Sequence, residues 1–183
     1  MLFREQNFFH VAYIGAGFVI MFTAYLATQN VASQAMRNFG FENIGFYSVA
    51  CVYGSYSITS LFCSPLVKKL GAKYSLCLAS ACFTIWIATF ILPALQYDKI
   101  QEGKTVEELP FVLKTGFINA MIILASIIGG AGNSIIWVAH GCYISECASE
   151  SNKGAFNGFF WIILQAAMII GNSLGSVLNE NLG

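Results

Sequence analysis

Residues 116–142 read GFINAMIILASIIGGAGNSIIWVAHGC and contain no Asp, Glu, Lys or Arg. Crossing the hydrocarbon core of a bilayer takes about 20 mostly apolar residues in a helix. This stretch is long enough to cross with room to tilt or to project. Outward from it, four more stretches qualify: about Phe8–Gln29, Ile44–Pro65, Tyr74–Leu92 and Ala155–Leu178. Together they predict an all-α, polytopic transmembrane helix bundle of about five spans, with residues 1–183 forming a single membrane domain.

Composition points the same way. The chain is 57% hydrophobic and 10% charged, whereas soluble domains carry roughly 25% charged residues. Its 16 Phe, 8 Tyr and 3 Trp suit lipid-facing and interfacial surfaces. The formal net charge is zero, so no basic footprint calls for a nucleic acid. The expected surroundings are the lipid bilayer. The six cysteines form no CxxC pair and no Cys/His metal spacing, so they read as small apolar residues, and neither a metal nor a cofactor is expected. Cys147, just outside a span, is a candidate for palmitoylation. Met1–Gln6 lacks the cleavage pattern of a signal peptide, and the apolar stretch behind it has full span length.

The order of loops sets a topology. Lys68, Lys69 and Lys73, with Gly71 between them, form a short basic loop after the second span. Short basic loops stay on the cytoplasmic side. That choice puts Arg4 and Lys153 inside, and it leaves Asn30–Asn43, the acidic loop Gln96–Lys114 and the C-terminus outside. No address signal is present, so the plasma membrane or an endomembrane is expected, with the mitochondrial inner membrane a further option.

Polar residues inside spans are costly and mark sites or partners. Asn133, Trp137, His140 and Ile144 share one face of the fourth span, with Glu146 at its end. This face reads as a cavity wall with His140 as a proton-linked or hydrogen-bonding residue, or as a histidine satisfied by a neighbouring helix or by headgroups. Asn157, Trp161, Gln165, Met168 and Asn172 share a face of the fifth span, either to bond across helices or to touch a substrate. Tyr25 and Gln29 share a face of the first span with Phe22, and Gln29 also reads as meeting water at the outer interface. The substrate-cavity candidates are thus Tyr25, Gln29, Asn133, Trp137, His140, Gln165 and Asn172.

Small residues let helices approach closely in lipid. Gly129, Gly130 and Gly132 form one such patch, and Gly154–Gly158 and Gly171–Gly175 are GxxxG pairs. They read as packing within the bundle, with a dimer interface as the alternative. No Ser/His/Asp set, paired intramembrane carboxylates or phosphate-cradling loop is present, so no enzyme is expected.

Several stretches together resemble one family. Met21-Phe22-Thr23-Ala24-Tyr25, Tyr53-Gly54-Ser55, Trp137-Val138-Ala139-His140-Gly141-Cys142-Tyr143 and Asn157-Gly158-Phe159-Phe160-Trp161 are similar to uncoordinated-93-like proteins, a branch of the major facilitator superfamily. The resemblance runs from the first span to the fifth. It implies a transporter-like fold of two six-helix halves, of which this chain would be most of the N-terminal half and incomplete. It also implies a substrate site between the halves near the midplane. The family takes its name from regulation of a potassium channel. Two departures stand out. The superfamily loop G-x-x-x-D-R-x-G-R-R has Lys68 at its acidic position here, so its usual carboxylate contact is not expected. The sequence also stops after the fifth span. Two functions are therefore expected to compete. One is small-solute or ion-coupled transport, with the C-terminal half as the missing wall. The other is a non-transporting regulatory or scaffold role in an ion channel or another large membrane protein complex.

Overall fold

The structure is a computed structural model that describes residues 6–182, with side chains for residues 7–180. Arg4 and the segment read against a signal peptide lie outside the described residues, apart from Gln6. Among the described residues seven α-helices follow one another: α1 (Gln6–Asn38), α2 (Ile44–Ser60), α3 (Cys63–Leu70), α4 (Ala72–Thr89), α5 (Ile91–Gln101), α6 (Thr115–Cys147) and α7 (Lys153–Leu182). Among the described residues there is no strand. Helices are the solution that apolar segments reach in lipid, because they satisfy every backbone group internally. Four helical segments are long and apolar enough to cross a membrane alone, and α2 with α3 makes a fifth that is bent by 72°.

Breaks fall where side chains forbid continuation. Pro65 cannot donate to the carbonyl of Leu61, and its ring crowds that turn, so the expected second span bends at Leu61–Phe62. Pro93 acts in the same way on Thr89, dividing α4 from α5 at Phe90. α1 runs past the expected end of the first span at Gln29, because no breaker stands before Gly40. At that glycine (φ 83°) the Phe41 amide turns back to the Met36 carbonyl at 2.8 Å and closes the helix. Much of the expected outer loop Asn30–Asn43 is therefore helix. The expected loop Gln96–Lys114 also begins as helix, and Gln96 ties it down by donating to the Leu113 carbonyl at 2.7 Å. Past α5, the Lys99 ammonium at 2.7 Å holds the Glu102 carboxyl below the usual carboxylate range by hydrogen bond and charge.

α6 is the hub. It packs along α2 on one flank and α4 on the other, while α1 pairs with α7. The amide of Asn7 donates to the Cys147 carbonyl at 2.8 Å, so the start of α1, the end of α6 and the start of α7 share one end of the bundle. Lys73 and Lys153 sit at that end. At the opposite end Asn179 of α7 donates to the Asn30 carbonyl at 3.4 Å.

The glycine patch of α6 makes the hub possible. A Cβ on Gly130 would run into Ser55 and the Val52 carbonyl of α2, and one on Gly129 would lie 3.0 Å from Trp86 of α4. Gly132 faces Ala79 and Cys82 of α4. Gly171 and Gly175 seat α7 on Leu26 and Asn30 of α1. Gly154 and Gly158 have nothing within 4 Å of a built Cβ, so that pair lies off any helix contact among the described residues.

Candidate functional site

Between α6 and the α1/α7 pair the backbones stand further apart, and rings fill the gap. Phe18 of α1 lies 4.9 Å from Phe160 of α7 and 5.5 Å from His140 of α6, centroid to centroid. His140 is 5% exposed, and its ring centre is 3.8 Å from that of Phe160. Its Nε2 has no hydrogen-bond partner among the described residues. One turn away, Trp137 donates from Nε1 to Asn133 Oδ1 at 3.0 Å and stacks on Trp161 of α7 at 5.6 Å. The stripe runs along α6, with His140 between the rings of Phe18 and Phe160 and Asn133 held by the Trp137 indole.

The other candidates diverge. Tyr25 turns toward α4, between Phe83 at 5.1 Å and Trp86 at 5.2 Å, with its buried hydroxyl unpartnered. Gln29 turns toward α2 and donates to the Tyr53 hydroxyl at 2.6 Å. Asn30 donates to Asn172 Oδ1 at 2.8 Å, joining α1 to α7. Gln165 is exposed on α7 and Trp161 half-exposed over Trp137, while the buried face of α7 is Phe156, Phe160, Leu164, Ala167 and Gly171. Replacing the exposed Asn172 by Ala is expected to cost only about 0.6 kcal/mol, the usual worth of an interhelical bond in lipid. Unfolding in mixed micelles measures it, and a loss above ~2 kcal/mol would show a larger network around this pair.

A large cavity of about 830 Å³ lies elsewhere, between α1 and α4 with α6 behind. None of the seven candidate residues lines it. Lys73 of the basic loop does.

Sequence reading missed the polar seam of the hub. Trp86 Nε1 donates to Ser48 Oγ at 3.2 Å, Ser48 and Ser126 hydroxyls meet at 2.7 Å, and Ser126 also donates to the Ile122 carbonyl at 2.6 Å. Ser134 donates to the Tyr56 carbonyl at 3.0 Å. The signal was present: Ser126, Gly130 and Ser134 recur at four-residue steps, a small-residue row on one face of α6.

A fold of long apolar helices around a small-residue hub defines a multi-pass membrane protein. The particular family follows from sequence comparison. The profile described as "Ion channel regulatory protein UNC-93" matches residues 38–98 and 111–180, and the chain belongs to that family. Among its relatives, the UNC93-like protein MFSD11 of Xenopus laevis is 26% identical over 172 residues, which cover 92% of this chain and 33% of that protein. Protein unc-93 homolog A of Bos taurus is 25% identical over 186 residues, covering 95% and 35%. UNC93-like protein 3 of Arabidopsis thaliana is 24% identical over 169 residues, covering 87% and 30%. The chain therefore spans about a third of the length of these curated relatives. No solved structure matches it.

Proposed function

We propose that the chain forms one wall of a polar path through the membrane and serves passage of a small solute, as in half of a major-facilitator-like transporter. One observation carries this reading. Gln165 stands exposed in the middle of α7, in line with Trp161 and Asn172, and no hydrogen bond holds it among the described residues. An unpaired amide facing hydrocarbon is costly, so a face of this kind belongs against water or against further protein. Relatives about three times as long supply room for an opposite wall. Asn133, Trp137 and His140 lie behind this face through the Trp137–Trp161 stack. Neither a reaction nor a cofactor enters.

Cysteine labelling tests the reading in a background with the native cysteines replaced. Gln165→Cys is expected to react with a hydrophilic, membrane-impermeant thiol reagent, while Ile162→Cys, at a position 71% exposed on another face of α7, is expected to stay unreactive. Equal protection of both cysteines would remove the path.

A second reading is a regulatory subunit of an ion channel. The family description favours it, as does the closed packing that shuts His140 away in the aromatic seam. A channel protein that copurifies in mild detergent, and is lost with Gln165→Leu, would support this reading over transport.

A further inference from the structure

Two groups of helices are each knit by glycines. Gly129, Gly130 and Gly132 bring α6 against α2 and α4. Gly15, Gly171 and Gly175 bring α1 and α7 together, and a Cβ on Gly15 would lie 3.1 Å from Ile163. Across the boundary between the groups, among the described residues, only Gly45 of α2 does the same. A Cβ there would strike the Ala32 carbonyl of α1. The Gln29–Tyr53 bond reinforces that end. From there to the basic-loop end the boundary is filled by rings, with Phe22 against Trp137 at 5.4 Å and Phe18 against Phe160 at 4.9 Å. At its far end stands the exposed bond from Asn7 to the Cys147 carbonyl.

We infer that protonation of His140 parts the α1/α7 pair from α6, with the Gly45 contact as the hinge. His140 sits among these rings, between Phe18 and Phe160, with Nε2 buried and unpartnered. Phenyl faces attract a cation weakly and offer it no acceptor. An imidazolium in this place is therefore a buried charge without a partner, which a packed fold does not tolerate cheaply.

No charged group faces His140 from the helices around it. α7 carries no titratable side chain between Lys153 and Glu180. On α1 the titratable groups are the exposed His10 and Tyr13, and Tyr25, which is turned to α4. Lys73 and Cys77 of α4 line the large cavity instead. α2 meets α6 on another flank, at Gly130. On α6 itself Tyr143 also lines the cavity, and Glu146 is exposed near the helix end. Further protein does not reach Nε2 while the seam is closed, because that atom is already shut from the surface.

The direction of the effect follows by linkage. An opened seam lets water reach the imidazole, which then takes a proton that the closed seam excludes. Acid therefore favours the open form, and one proton changes the open-to-closed ratio by up to about tenfold per pH unit. The inference does not rest on the polar path, since it concerns the boundary at α6 and not the exposed face of α7.

Spin-pair distances in nanodiscs test it, on the 183-residue chain with its native cysteines replaced. Labels at Gly141→Cys and Gly158→Cys span the boundary, at positions where a Cβ meets nothing within 4 Å. Gly17→Cys with Gly158→Cys stays within the α1/α7 pair, and Gly54→Cys with Gly141→Cys stays within the other group. Lowering the pH from about 8 to about 4, either side of ordinary histidine titration, is expected to add a longer population to the first distance alone. His140→Phe and His140→Leu, which keep an apolar side chain without a titrating nitrogen, are each expected to remove the pH dependence. His10→Asn is expected to change nothing. The nitrogen shifts of His140 are expected to titrate with the same midpoint as the distance. A boundary distance that ignores pH, acid opening that persists in either His140 variant, or a His140 midpoint apart from that of opening would each overturn the inference. Equal lengthening of all three distances would do so too, since the bundle would then be unfolding as a whole.

Discussion

Trp86→Ala is expected to cost about 3–5 kcal/mol, the range for removing a large buried aromatic side chain. Trp86 is 0% exposed, at the meeting of α2, α4 and α6. Its ring touches Tyr25 and stands edge-on to Phe90 at 5.6 Å, and its backbone side lies against Gly129. Lipid tails are as apolar as Trp, so no hydrophobic gain drives helices together in a bilayer, and dispersion contacts between packed helices carry much of the stability. Removing the ring leaves a void and also takes away the donor to the Ser48 hydroxyl at 3.2 Å, which keeps its bond to Ser126. Trp86→Phe separates the two effects. It keeps most of the volume and deletes one donor while Ser48 keeps its bond to Ser126, so about 0.5–1.5 kcal/mol is expected. Unfolding followed by fluorescence and circular dichroism in mixed micelles measures both. A loss below ~1 kcal/mol for Trp86→Ala would mean that the three helices do not meet at this residue.

Gly130→Ala is the second large effect. The added Cβ would strike the Val52 carbonyl and Ser55 of α2 and lie 3.0 Å from the Tyr56 amide. Two of those three obstacles are backbone and cannot rotate away. Forcing α2 from α6 would also stretch the bonds from Ser134 to the Tyr56 carbonyl and from Ser48 to Ser126. Overpacking costs about 1–3 kcal/mol, and at a helix contact built on backbone the upper end or more is expected. Gly158→Ala is the matched comparison. Its Cβ would meet nothing within 4 Å, and the higher helix propensity of Ala favours it by up to about 1 kcal/mol. Opposite signs for the two substitutions are the expected outcome. Equal tolerance of both would contradict the close α2–α6 approach.

This pair of glycines shows what a sequence can and cannot convey. Gly130 and Gly158 both sit in small-residue patterns in apolar helices. Only the partner helix distinguishes them, and the identity of the partner is a tertiary fact. The all-α membrane class was legible because 10% charge and long uncharged stretches admit no other economy of backbone hydrogen bonds. The family was legible from short motifs spread along the chain. Helix ends were less so. The polar run Gln29-Asn30 looked like an interface, yet α1 continues to Asn38, and two asparagines from different helices bond to each other there. Pro65 signalled its break plainly, and reading Ile44–Pro65 as continuous overlooked the amide that it cannot supply to the preceding turn.

For the site, periodicity put Asn133, Trp137 and His140 on one face and Trp161, Gln165 and Asn172 on another, and these sets lie within single helices, α6 and α7. It could not show that Phe18 and Phe160 would cap His140, because aromatic rings bridge a gap between backbones that no spacing rule encodes. Nor could it show that Tyr25 and Gln29, one turn apart, would address different helices. The serine seam escaped because each serine alone resembles an ordinary small residue. Its meaning comes from Ser48, Ser126 and the indole of Trp86 arriving together from three helices.

The most direct measurement of the polar path is a spin-label scan of α7 from residue 157 to 172 in nanodiscs, reading collisions with a water-soluble nickel chelate against collisions with oxygen. Nickel access is expected to peak at positions 161, 165, 168 and 172, with oxygen access peaking at 162 and 169. A nickel profile that stays flat along the helix, or an oxygen maximum at Gln165, would place that face in lipid and contradict the path.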